Sequence, residues 1–161
     1  MIVVSDTSPI NYLLAIGQVE VLPKLFGTIV IPSTVMAELK AADAPVTNLH
    51  WLAKLPFGFE VRSAAHLDPA LDLDAGEREA ICLAEELHAA AVLMDEKKGR
   101  AIARQRGLAV VGTIGILEKA GSLQLLDLET ALASLRRTTF FSSDELIQAA
   151  LARARKTTGG K

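Results

Sequence analysis

The stretch AVLMDEKKGRAIARQRGLAVVGT, residues 91–113, decides how the chain folds. Ala91 to Met94 is a short apolar run of the kind that forms a strand buried on both faces. Glu96 to Arg106 follows as a basic helix, Gly107 closes it, and Leu108 to Val111 is a second strand. A strand, a helix and a strand in that order form a parallel pair joined by a right-handed crossover. The same alternation runs back toward the N-terminus. Ile2-Val3-Val4-Ser5 is a buried strand, and Ser8-Pro9 opens a helix to about Ile16 with proline near its tolerated first position. Val19 to Phe26 reads as a short helix, Thr28 to Ile31 as a strand, and Pro32-Ser33 opens a helix to about Ala42. Ala44 to Lys54 is a loop with a short helix carrying Trp51, and Phe59 to Arg62 is a third strand. Beyond a loop from Ser63, Asp74-Ala75-Gly76-Glu77 begins the longest helix, which reaches about His88. Thr113 to Ala120, residues 127–137 and residues 143–155 read as further helices. The expectation is an α/β fold in three layers, α/β/α, around a central parallel sheet of four to five strands. It occupies one domain over residues 1–156, and residues 157–161 should fray.

Composition agrees with that reading. At 161 residues the chain suits one domain, and 50% hydrophobic with 22% charged residues excludes a disordered chain. The single cysteine, Cys82, excludes a disulfide framework and a cysteine-rich zinc site. No apolar run approaches the ~20 residues of a membrane span. The start, MIVVSDTSPI, lacks a basic region and carries Asp6, so no signal peptide is expected and the protein reads as cytoplasmic, with no membrane partner. The net charge of −2 hides an asymmetry. Residues 1–96 carry 14 acids and 5 bases, whereas residues 97–161 carry 5 acids and 12 bases. A split of this kind is a weak pointer to nucleic acid.

Ligands of open parallel sheets sit beyond the carboxyl ends of the strands, which directs attention to the residues that follow each strand. Asp6 follows the first. Asp95 and Glu96 follow the strand at 91–94, and Thr113 follows the last strand after Gly112. Glu38 lies about two turns into the helix after strand two, and Glu77 stands in the first turn of the long helix. Both border the apolar stripes of their helices. Each residue also has an ordinary reading. Asp6 can cap a helix, Asp74-x-x-Glu77 fits a capping box, Asp95-Glu96 can complement a helix N-terminus, and Thr113 can be a cap. Their joint placement at one sheet edge raises the chemical reading above these. Clustered carboxylates repel unless a cation offsets them or some protonate. All-oxygen donors suit Mg²⁺ or Mn²⁺, which can activate water and stabilise the oxyanions of a phosphoryl displacement.

The runs VVSDTSPINYLLAIG (3–17), IVIPSTVMAELK (29–40) and LDAGEREAICLAEELHAAAVLMDEKKGRAIARQRGLAVVGTIGIL (73–117) keep their order and spacing. Over roughly residues 1–126 the chain resembles the PIN-domain nucleases, and most closely a bacterial and archaeal branch related to VapC-type toxins. The resemblance implies a magnesium- or manganese-dependent ribonuclease whose acidic set is Asp6, Glu38, Glu77 and Asp95. Either Asp74 or Glu77 can fill the third position, with the helix face favouring Glu77, and either Asp95 or Glu96 the fourth. Thr113 resembles the family's polar residue near the metal site. A small antitoxin protein and a homodimer are the partners the resemblance implies, beside the RNA substrate.

Lys97, Lys98, Arg100, Arg104 and Arg106 crowd one short helix beside these acids, and the first four are candidate contacts to RNA phosphates. Aromatic residues make up only 4% of the chain, which leaves no evident base-stacking platform. Two other functions stay open at this level. One is a catalytically silent interaction module. The other is a receiver-like phosphoacceptor switch, although Asp6 has no acidic neighbour and Ile114, not a lysine, follows Thr113.

Overall fold

The structure, a computed structural model, describes residues 1–41, 43–138 and 144–159. Five strands, β1 (Ile2–Ser5), β2 (Thr28–Pro32), β3 (Phe59–Arg62), β4 (Ala91–Leu93) and β5 (Val110–Val111), form one sheet in the order β3-β2-β1-β4-β5. All four pairings are parallel, with Val3 opposite Ile29 and Ala91, and Val92 opposite Val110. The helices are α1 (Thr7–Ala15), α2 (Val21–Phe26), α3 (Ser33–Leu39), α4 (Val46–Ala53), α5 (Ala75–Glu86), α6 (Lys97–Gln105), α7 (Thr113–Ser122), α8 (Leu128–Arg136) and α9 (Asp144–Gly159).

Period-two alternation divides the core between the two faces of the sheet. Val3, Ile29, Ile31 and Leu93 point to a cluster built with α1 to α4 and α7 to α9. Val4, Val30 and Val92 point to the other face, against Ile81 and Leu83 of α5 and Ala103 of α6. Both faces are covered, so the central strands read as continuous apolar runs instead of alternating ones. The chain steps outward from β1 to β2 and β3, then returns to place β4 on the other side of β1. The switch point therefore lies between β1 and β4, the crevice where such sheets bind ligands.

Several boundaries differ from expectation for physical reasons. The helix at Val19 starts at Val21, which puts Pro23 in a first turn whose N–H groups have no intrahelical partner to lose. The helix after strand two stops at Leu39, and Ala42 lies outside the described residues. Gly107 at φ 81° lets Leu108 N–H turn back to the Ala103 carbonyl, so Leu108 completes the exit of α6 and β5 begins only at Val110. At the C-terminus α9 spans Asp144–Gly159, past the expected helix end at 155, and residues 160 and 161 lie outside the described residues. Among the described residues no helix is long and apolar enough to cross a membrane.

Candidate active site

The switch point brings acids together. Asp6 N–H donates to the Leu93 carbonyl at 2.9 Å, so the ladder between β1 and β4 fixes the backbone that carries Asp6. Asp6 stands at the N-cap position of α1, but its side chain makes no cap hydrogen bond. Asp6 is only 5% exposed. Burial pushes its carboxyl up to about 7, against the Thr7 backbone N–H, and the negative charges of Asp74, Glu38 and Asp95 push in the same direction as burial.

Each neighbour is held by a different element. Asp95 accepts from Thr113 N–H at 2.8 Å and from Thr113 Oγ1 at 2.7 Å, which ties the end of β4 to the start of α7. Thr113 is thus the first residue of α7 and a support for Asp95; the cap position belongs to Gly112. Burial raises the Asp95 carboxyl despite these bonds and the nearby Arg100 guanidinium. Glu38 is exposed on α3 and accepts from the Thr7 hydroxyl. Asp74 caps α5 by accepting Glu77 N–H at 2.9 Å.

Glu77 does not complete a reciprocal capping box. It is 7% exposed, and its carboxyl is pushed up to about 8 by burial, by its hydrogen bond with the Asp74 side chain, and by the charges of Asp74, Asp6 and Glu96. Glu96 is exposed at the start of α6, with no side-chain cap bond. It lies on the rim of an open depression of about 360 Å³ that Asp72, Asp74, Glu77 and Lys98 also line. Charge thus couples Asp6 to Glu38, Asp74 and Asp95, and Glu77 to Asp74, Asp6 and Glu96. Among the described residues no three Asp, Glu, His or Cys side chains close into a ready-made metal cage.

A family model described as DUF3368: PIN domain matches residues 2–156. The chain belongs to this PIN-domain family. One similar solved structure is a PilT N-terminus domain protein from the hyperthermophilic archaeon Sulfolobus solfataricus P2. It is 19% identical, with a TM-score of 0.52, over 89% of this chain and 100% of that one. At that identity the likeness speaks for the fold. No curated protein matches the chain.

In this PIN domain the basic helix divides into different roles. Arg100 Nη1 donates to the Met94 carbonyl at 2.8 Å and sits beside Asp95, while Lys98 pairs with Asp72 at 2.9 Å across the depression. Lys97 and Arg104 are exposed. Arg106 lies past the helix end and binds Asp68 and Glu85 instead.

Sequence reasoning did not single out three supports. Glu79, 4% exposed on α5, accepts from Ser33 Oγ at 3.0 Å, from Thr34 N–H at 2.8 Å, from the Thr34 hydroxyl, and from Ala64 N–H at 3.1 Å. Burial alone would raise its carboxyl, but these donors outweigh burial and hold it below the ordinary range. Its one sequence signal was a charge next to the apolar run Ala80-Ile81-Cys82-Leu83. Arg78 donates to the Leu71 and Leu73 carbonyls and so steadies the loop that leads to Asp74. Tyr12, on α1, lies within range of Asp95, and its hydroxyl is pushed up by burial and by that charge.

Proposed function

We propose that this PIN domain is a divalent-metal-dependent ribonuclease that cleaves phosphodiester bonds with water as nucleophile. The observation that carries the reading is Asp6: a buried acid at the β1/β4 switch point, raised to about 7 with three further carboxylates acting on it. That donor set is all oxygen, its carboxylates crowd one another, and Glu38 at its edge is exposed, which fits an ion that keeps several waters and takes only one or two carboxylates. Asp6 and Asp95 would hold Mg²⁺ or Mn²⁺, and Glu38 and Glu77 would orient its waters or hold a second ion. Such an ion supplies Lewis acidity, which activates water and offsets charge on the phosphoryl oxygens.

The chain's own residues do the rest. Thr113 fixes the Asp95 carboxylate through two hydrogen bonds, and the Thr7 hydroxyl fixes that of Glu38. Lys97, Lys98, Arg100 and Arg104 on α6 would hold backbone phosphates, which carry affinity without sequence choice. Family membership leaves the receiver-like switch without support. A toxin role, with a small antitoxin protein as partner and a homodimer as assembly, rests on the VapC-like run of motifs.

Asp6→Asn tests the assignment, because it keeps shape and removes a charge. The wild type is expected to cleave RNA with Mn²⁺ and to stop in EDTA. The variant should keep its circular dichroism spectrum and lose at least about 100-fold in cleavage, the scale of removing one electrostatic support of the transition state. EDTA-sensitive cleavage by Asp6→Asn at the wild-type rate would overturn the reading. A wild type that folds but cleaves no RNA in Mn²⁺ would favour the silent module.

A further inference from the structure

Three glycines border the carboxylates, and none of them is among the glycines with positive φ. What matters is the side chain they lack. A Cβ on Gly76 would lie 2.6 Å from Glu38 Oε1 and 2.9 Å from Oε2. On Gly99 it would lie 2.6 Å from Met94 Sδ and 2.9 Å from Glu77 Oε2. On Gly112 it would lie 2.7 Å from Arg100 Nη1 and 3.1 Å from Asp95 Oδ1. Gly76 and Gly99 stand in the first turns of α5 and α6, and in a helix glycine is a poorer former than alanine. In all three cases the atoms that a methyl would meet are ends of side chains. At Gly76 every such atom belongs to the Glu38 carboxylate, so the fold can absorb a methyl there by swinging that carboxylate away, whereas at Gly99 the Met94 side chain and at Gly112 the Arg100 guanidinium must give as well.

We propose that Gly76, Gly99 and Gly112 are positioning residues, notches that let Glu38, Glu77 and Asp95 lie close against neighbouring backbone around Asp6. Only the metal consequence of this rests on the ribonuclease reading. The test uses four proteins: wild type, Gly76→Ala, Glu38→Ala and the double variant. Thermal melts in EDTA need no metal. In the Glu38→Ala background the new methyl has room and alanine favours the helix, so Gly76→Ala should raise Tm. In the wild-type background it should leave Tm unchanged or lower it. Mn²⁺ titrations of the same proteins should show affinity falling about tenfold for Gly76→Ala, the scale of losing a group that orients a ligand. They should show no further fall when Gly76→Ala is added to Glu38→Ala. An equal Tm shift in both backgrounds would overturn the inference, and so would wild-type Mn²⁺ affinity in Gly76→Ala. A wild type that binds no Mn²⁺ would sink the metal reading and leave the EDTA melts to decide the notch. If a Gly76 variant does not fold, Gly99→Ala repeats the decision at a second contact, compared between Met94→Ala and Met94→Ala/Glu77→Ala backgrounds because a Cβ there would meet Met94 Sδ as well as Glu77 Oε2.

Discussion

Glu77 shows how one side chain can separate architecture from chemistry. The bond that starts α5 runs from Glu77 N–H to Asp74 Oδ1, so it belongs to the backbone of residue 77 and survives any substitution there. The Glu77 carboxyl is nearly buried, faces Asp74, and is raised to about 8. Glu77→Gln should therefore keep the helix and relieve repulsion that the native residue carries in the absence of metal. The metal-free variant is expected to melt about 2–5 °C above the wild type, a shift on the scale of ~1 kcal/mol for a chain of this size. The gain should be larger at pH 9, where Glu77 is ionised, than at pH 6, where it already holds a proton. On the proposed reading, added Mn²⁺ should stabilise the variant less than the wild type, because binding to the folded state adds stability by mass action. Melting curves across a Mn²⁺ series, read beside cleavage, decide it. If the variant keeps both the metal shift and the activity, Glu77 is only part of a helix start and Asp74 becomes the better ligand candidate.

At the scale of elements, the site depends on α3, α5 and the loop after β3 being held in one register, and Glu79 does this. Its carboxylate gathers donors from Ser33, Thr34 and Ala64, residues from two segments remote in sequence. Removing it leaves those half-buried donors without their acceptor, at up to about 1–3 kcal/mol per unsatisfied group. Glu79→Ala should lower Tm by roughly 5–15 °C, and Glu79→Gln by less, since an amide oxygen still accepts. An unchanged melting temperature in Glu79→Ala would show that the brace carries no weight. The contrast with Asp6 explains what the sequence could and could not tell. An acid that directly follows a buried strand must emerge at the carboxyl edge of a parallel sheet, so Asp6 and Asp95 were legible from local pattern alone. Thr113 was legible in place but not in role, because its bond to Asp95 crosses from one strand end to another. Glu79 was not legible, because its partners stand 15 to 46 positions away. The bases of α6 were visible as a group, yet spacing does not say that Arg100 turns inward to the Met94 carbonyl just past β4 while Lys98 turns to Asp72.

For the molecule as a whole, the strand order places a cluster of like charge at the switch-point crevice between β1 and β4, and that placement couples stability to pH. Asp6 and Glu77 keep protons in the folded state up to about 7 and 8, whereas the unfolded chain releases them near pH 4. Asp95 is displaced in the same direction. Through that window the folded state binds more protons than the unfolded state, so metal-free stability must fall as pH rises. The carboxylates held below their ordinary range, Asp68, Asp72, Glu79, Glu86 and Asp127, act with the opposite sign. Their effect is confined to pH values below about 4.5, where carboxyl groups of the unfolded chain titrate. Between pH 5 and 8.5 the acidic crevice therefore sets the slope. The expected loss is on the order of a few kcal/mol, about 1.4 for each unit by which a buried group is raised. Denaturant titrations in EDTA across this range should show the midpoint falling with pH, and Asp6→Asn should flatten the fall. On the proposed reading, saturating Mn²⁺ should reverse the slope, because the metal competes with protons for the same oxygens and binds better as they leave. A metal-free midpoint that holds level or climbs between pH 5 and 8.5 would mean that these carboxylates are not crowded in solution, and with it the argument for a cation at this edge would fail.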